Sequence, residues 1–171
     1  MEAERIRKFL IALGERYPHS AQLYLLGGSA LCLLGSSRPT IDIDYVGDDL
    51  KKDPLQKTME VIAREMDLAV EAVPIDKFIP ASVNRRKNNI PVGKFGKIEV
   101  YIFDPYSIAL SKIDRGFDTD LDDVVFLVKR GLVNMEELDL LARAVLRQSR
   151  EYDLDSAEFL GHLQELKNRL S

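Results

Sequence analysis

Between Leu26 and Val46 the chain reads Leu-Gly-Gly-Ser, then a short apolar segment and a polar loop, then Ile41-Asp42-Ile43-Asp44-Tyr45-Val46. No other feature restricts the fold as tightly. Successive side chains of a strand point to opposite faces, so Asp42 and Asp44 share one face while Ile41, Ile43 and Tyr45 take the other. Two carboxylates held side by side repel and raise each other's pKa unless a cation stands between them, which makes the pair a candidate magnesium site. Acids are depleted in strands, which counts against two solvated acids on an edge strand. Upstream, Gly27, Gly28 and Ser29 fall between an expected strand (Gln22 to Leu26) and an expected helix (Ser29 to Leu34). A turn without bulky side chains at the start of a helix offers backbone N–H groups and a hydroxyl to a phosphate.

These two elements together resemble the signature of the DNA polymerase β-type nucleotidyltransferase superfamily: Leu26-Gly27-Gly28-Ser29, a spacer, and Asp42-Ile43-Asp44-Tyr45. Arg38-Pro39-Thr40 before the aspartates is similar to the form found in prokaryotic nucleotidyltransferase-like proteins, including the toxin halves of abortive-infection toxin–antitoxin pairs. A second stretch resembles another element of that group: Asp104-Pro105, Lys112, Arg115, Asp120 and Asp123, with Thr119 where that group has lysine. The resemblance implies an α/β (α+β) nucleotidyltransferase fold, a small mixed sheet flanked by helices with a helical C-terminal extension. It implies Asp42 and Asp44 as ligands of Mg2+, with Mn2+ as the alternative ion. It further implies Gly27, Gly28, Ser29, Arg38 and Thr40 on the nucleoside triphosphate, and Lys112 with Asp120 or Asp123 as catalytic groups. A third carboxylate on a neighbouring strand usually completes such a site. Glu99 in Ile98-Glu99-Val100 is the first candidate and Glu71 in Val70-Glu71-Ala72 its competitor, the remaining alternative being that neither serves.

At 171 residues one domain is expected, with a core over about 1–131 and a helical part over about 132–171. Hydrophobic residues at 46% and charged residues at 30% exclude disorder as the rule for the chain. Ile6, Phe9, Leu10 and Leu13 recur at helical spacing and predict a first helix from about Ala3 to Arg16. Asp53-Pro54 and Asp104-Pro105 read as helix starts, Thr119-x-x-Asp122 as a capping box, and Asn134 to Gln148 and Asp155 to Leu170 as amphipathic helices. Leu68 to Val73 reads as a strand. Asn89 to Phe103 reads as a hairpin around Gly93-Lys94-Phe95-Gly96, and Lys97 to Phe103 alternates. The lone Cys32 in an apolar stretch reads as a core thiol, and His19 and His162 lack ligand spacing.

Tyr17 to Ser37 carries no fixed charge but holds polar residues and two glycines, so it reads as strand, loop and helix, not as a membrane span. The N-terminus shows neither a basic leader nor a cleavable apolar run, and a cytoplasmic location is expected. A net charge of −4 provides no global field for nucleic acid, although Arg85-Arg86-Lys87 concentrates positive charge locally. The expected function is magnesium-dependent transfer of a nucleotidyl group from a nucleoside triphosphate to an acceptor hydroxyl. By resemblance the acceptor is tRNA, a protein or a small molecule, with an antitoxin protein as a further partner. Two rivals stand beside it: a catalytically inactive binding module of the same fold, and an RNA-binding protein using the basic segment.

Overall fold

The computed structural model describes residues 2–40, 42–47, 53–75 and 88–171. The basic Arg85-Arg86-Lys87 segment and Ile41 lie outside the described residues. The chain forms two compact units, Met1–Pro74 with Asn89–Phe103 and Ile75–Asn88 with Asp104–Ser171. The division falls at Asp104, where the sequence reading expects one domain with its helical part starting near residue 132.

The first unit contains helix α1 (Glu2–Arg16), strand β1 (Ala21–Leu26), helix α2 (Gly27–Leu33), strand β2 (Asp42–Val46), helix α3 (Pro54–Glu65) and strands β3 (Ala69–Val73), β4 (Ile90–Phe95) and β5 (Ile98–Ile102). The strands form one sheet in the order β3-β2-β1-β5-β4. β1 pairs antiparallel with β2 and parallel with β5, β2 pairs parallel with β3, and β4 pairs antiparallel with β5. Parallel neighbours require a crossover, here supplied by α3 between β2 and β3.

Alternation divides the sheet into two chemically different faces. Leu23 and Leu25, Ile43 and Tyr45, Ala72, and Ile98, Val100 and Ile102 are all buried. The register places them on one face, with Leu25 opposite Tyr45, Tyr45 opposite Ala72 and Leu25 opposite Ile102. Ile6, Phe9, Leu10 and Leu13 of α1 and Met59 and Ile62 of α3 are buried with them. The stripe that predicted α1 is thus the stripe it buries. The opposite face carries Gln22, Tyr24, Asp42, Asp44, Glu71, Glu99 and Tyr101 by the same register.

Local chemistry explains most element boundaries. Asp53 accepts from the Gln56 N–H at 2.8 Å with Pro54 at the first helical position, so α3 starts where the sequence predicts. The hairpin differs from expectation. Its turn is Gly96-Lys97, while Gly93 lies within β4 at a register shift.

The second unit is helical: α4 (Pro105–Arg115), α5 (Asp118–Lys129), α6 (Met135–Arg147) and α7 (Ser156–Leu170). Asp104 caps α4 through the Tyr106 N–H at 3.1 Å and also accepts from the Ser107 hydroxyl at 2.9 Å. Asn134 and Asp155 cap α6 and α7. The capping box expected at Thr119 is not formed. α5 begins at Asp118 with Phe117 at the cap position, two residues before Thr119, and has no side-chain cap. Arg169 of α7 instead donates to the carboxylates of Asp118 at 2.6 Å and Asp122 at 2.8 Å, fixing α7 to the acidic start of α5. Ile108, Leu110, Ile113, Leu121, Val124, Leu127, Leu138, Val145, Phe159 and Leu166 fill the core of this unit.

Candidate functional site

β1 ends at Leu26, opposite Asp44, and the chain turns at once into α2. Gly27 sits at φ +59°, a left-handed conformation that a side chain disfavours, and a Cβ there would collide with the Asp44 carboxylate. The Asp44 carboxylate therefore lies directly against the glycine turn. Gly28 is equally close to another group, since a Cβ on it would come within 2.9 Å of Thr40 Oγ1. Thr40 Oγ1 in turn accepts from the Asp42 N–H and donates to the Asp42 carbonyl, both at 3.2 Å. The two glycines are thus the contact points through which the turn meets the two ends of the Thr40-x-Asp42-x-Asp44 segment.

Three residues expected on the triphosphate make contacts within the turn and the segment after it. The Ser29 hydroxyl is fully buried and donates to the Leu26 carbonyl at 3.0 Å, so it braces the turn and does not face outward as expected. The Thr40 hydroxyl is engaged with the Asp42 backbone. Arg38 contributes its carbonyl to the buried Cys32 thiol at 3.2 Å, which accounts for Cys32 as a core group.

Register decides which third carboxylate stands beside the aspartates. Asp44 is paired with Glu71 on the adjacent parallel strand, and Asp42 with Ala69, so Asp42, Asp44 and Glu71 occupy one face. Neighbouring strands lie about 4.8 Å apart, within reach of one ion between flexible carboxylates. Glu99 shares the face but not the position. It pairs with Gln22, four residues before the Leu26 that opposes Asp44, on the far side of β1. That is about 10 Å across the strands and about 13 Å along them. The expectation that Glu99 faces Asp42 and Asp44 closely is corrected accordingly. Its carboxylate Oε2 accepts instead from Gln22 Nε2 at 3.3 Å and from the Tyr101 hydroxyl at 3.2 Å.

The donors fit a hard divalent cation, being carboxylate oxygens without nitrogen or sulfur. Among the described residues no three His, Cys, Asp or Glu side chains are gathered tightly enough to hold an ion as they stand. The Glu71 side chain is exposed, and carboxylates on one face repel one another without a cation between them.

In the second unit Lys112, Asp120 and Asp123 form one buried cluster. Lys112 Nζ lies 2.8 Å from Asp123 Oδ2 and 3.4 Å from Asp120 Oδ1, and the three side chains are 4–5% exposed. Arg115, largely exposed, also pairs with Asp120 Oδ1. The remaining oxygen, Asp120 Oδ2, is buried with no hydrogen-bond partner among the described residues. Lys112, Asp120 and Asp123, expected as catalytic groups, meet as an internal ion cluster between α4 and α5. The Lys112 ammonium is held by two carboxylates. Asp114, two residues further along α4, has its carboxyl pushed above the usual range mainly by burial, with His162 opposing and Glu158 adding to the shift. His162 Nδ1 is hydrogen-bonded to the Ile113 carbonyl at 2.7 Å, a structural contact.

A mixed sheet bearing an Asp-x-Asp strand beside a Gly-Gly-Ser strand-to-helix turn, flanked by helices, is the architecture of a nucleotidyltransferase. The chain belongs to the family described as "Nucleotidyltransferase of unknown function (DUF6036)", whose model matches residues 4–169. No curated protein and no solved structure matches it. No helix among the described residues is long and apolar enough to cross a membrane.

Proposed function

We propose that the protein transfers a nucleotidyl group from a nucleoside triphosphate to an acceptor hydroxyl, with Asp42, Asp44 and Glu71 as the ligands of Mg2+ (or Mn2+). The observation that carries this reading is the register of Asp44 with Glu71 beside the Gly27 turn. The bound ion would neutralise phosphate charge, the main demand of phosphoryl chemistry. The chain's own part is positioning. Gly27, lacking a side chain, lets the turn close against the Asp44 carboxylate, and the Thr40 hydroxyl holds the backbone that carries Asp42. The acceptor oxygen forms its bond to the α-phosphorus as the bond to the bridging oxygen breaks. Pyrophosphate leaves, and a carboxylate of the trio takes the acceptor's proton. We further propose an RNA or protein acceptor, in the manner of a toxin held in check by an antitoxin.

Calorimetric titration of a nonhydrolysable triphosphate with Mg2+ tests the site. Asp42→Asn and Asp44→Asn should abolish binding while leaving the melting temperature unchanged or slightly raised, because repulsion is relieved. Equal binding by wild type and both variants would refute the assignment. Labelled triphosphates incubated with total RNA and protein then identify the acceptor. The binding-module reading retains one supporting observation, the separation of the three carboxylates. Triphosphate binding without label transfer to any acceptor would favour it.

A further inference from the structure

On the carboxylate face of the sheet, Tyr24 of β1 and Tyr101 of β5 are paired in register. Their rings stack with centroids 5.5 Å apart and planes 20° apart, and Phe103 meets Tyr24 edge-on at 6.2 Å. Both tyrosines are partly exposed, as is Glu99. The Tyr24 hydroxyl donates to Gln22 Oε1 at 2.7 Å, and Gln22 and Tyr101 both donate to Glu99 Oε2. Because both bonds fall on Oε2, the Glu99 Oε1 atom retains acceptor capacity. The result is an aromatic surface with an anionic acceptor at its edge.

Its distance from Asp44 follows from register. Tyr24 lies two residues before Leu26, the partner of Asp44, so it is one strand over and about 7 Å along, about 8 Å in all. Tyr101 is one strand further, about 12 Å away. A ribose and its phosphates bridge a gap of this order.

We propose that Tyr24 and Tyr101 seat the nucleobase of the triphosphate whose phosphates meet Asp42 and Asp44, and that Glu99 Oε1 selects a base bearing an amino group. This rests on the triphosphate reading above. Aromatic side chains on an open sheet face stack with bases irrespective of identity, while a carboxylate accepts from an exocyclic amine and rejects a carbonyl. Charge favours a single nucleotide over a nucleic-acid strand. The face carries Asp42, Asp44, Glu71 and Glu99, with Lys94 opposite Glu99 as its basic residue among those described. A polymer backbone is repelled there, whereas a triphosphate brings a divalent cation.

The chain has no tryptophan and six tyrosines, so the fluorescence change is assigned to the stacked pair by its loss in Tyr101→Leu, with inner-filter absorption of each nucleotide subtracted. The test compares binding of ATP, CTP, GTP, UTP and base-free tripolyphosphate, each with Mg2+, to the full chain. At least one amino-bearing triphosphate should bind more tightly than tripolyphosphate and quench the fluorescence. Tyr101→Leu should weaken that triphosphate by about 5- to 150-fold and leave tripolyphosphate unchanged, whereas Tyr101→Phe should keep the affinity. Glu99→Gln should erase the preference over UTP. Asp44→Asn should weaken both classes of ligand. Wild-type protein that binds tripolyphosphate as tightly as every nucleotide would overturn the nucleobase seat while leaving the metal reading intact. Binding of neither class would overturn both. Equal weakening of tripolyphosphate by Tyr101→Leu would reduce the pair to a sheet contact, and so overturn the proposal. Tyrosine-dependent binding of an oligonucleotide in preference to the mononucleotides, without Mg2+, would overturn it in favour of a nucleic-acid surface.

Discussion

Lys112→Met removes the positive charge buried between Asp120 and Asp123, while Met keeps most of the apolar stem that packs in the helical core. Breaking a buried ion pair from one side costs about 3–5 kcal/mol, because the remaining charge stays desolvated. Arg115 remains on Asp120, which places the expected loss near the lower end, about 3 kcal/mol. For a chain of this size that corresponds to a fall in melting temperature of about 6–12 °C. Were the ammonium exposed, the change would cost under about 1 kcal/mol. Urea unfolding and a thermal melt measure the loss directly. The double variant Lys112→Met/Asp123→Asn supplies the internal control. Removing the charge left behind should return part of the stability, so the double variant should unfold later than Lys112→Met alone. A loss below about 1 kcal/mol, or a double variant weaker than the single one, would refute the buried-cluster argument. Nucleotidyl transfer must be assayed well below the melt, where an activity loss would exceed what unfolding explains.

Gly27→Ala should cost about 1–2 kcal/mol from the left-handed backbone alone and displace the Asp44 carboxylate, so triphosphate binding should fall further than the melt accounts for; unchanged binding would separate the turn from the site. Glu71→Gln should reduce Mg2+-dependent transfer by at least tenfold with no loss of stability, whereas Glu99→Gln should alter base preference alone; the reverse pattern in a steady-state comparison would restore Glu99 as the third ligand. Asp114→Asn should raise the melting temperature at pH 7 but not at pH 3. Burial lifts the folded pKa of Asp114 above its unfolded value of about 3.9, so stability is undiminished below that value and is lost as pH rises through the folded one. Melts across that range check the sign, and a variant less stable than wild type at pH 7 would refute it.

Much of the molecule was legible from local pattern because local chemistry decides it. Asp53-Pro54, Asp104-Pro105, Asn134 and Asp155 start helices through hydrogen bonds spanning two or three residues. The capping box at Thr119 failed for the opposite reason. The acidic start of α5 is satisfied by Arg169, which lies 51 residues from Asp118 and is invisible to a local rule. Alternation told which side chains share a face of β2 and β5 but not which strand lies beside which. Tyr24 and Tyr101 were overlooked because each is unremarkable in its own strand and gains meaning only when the two are paired.

The sequence alone determined the apposition of Asp42 and Asp44, the glycine turn ahead of them and the helical and strand periods, because each follows from bond geometry over a few residues. Tertiary structure alone decided that Glu71, and not Glu99, stands beside Asp44, since that depends on the order β3-β2-β1-β5-β4, a choice made by hydrogen bonds between distant segments. It also decided that the Ser29 hydroxyl turns inward and that Lys112 is buried between two carboxylates. Burial is set by what the rest of the chain packs against, and the same ammonium is a mobile charge in water or a fixed one in a core.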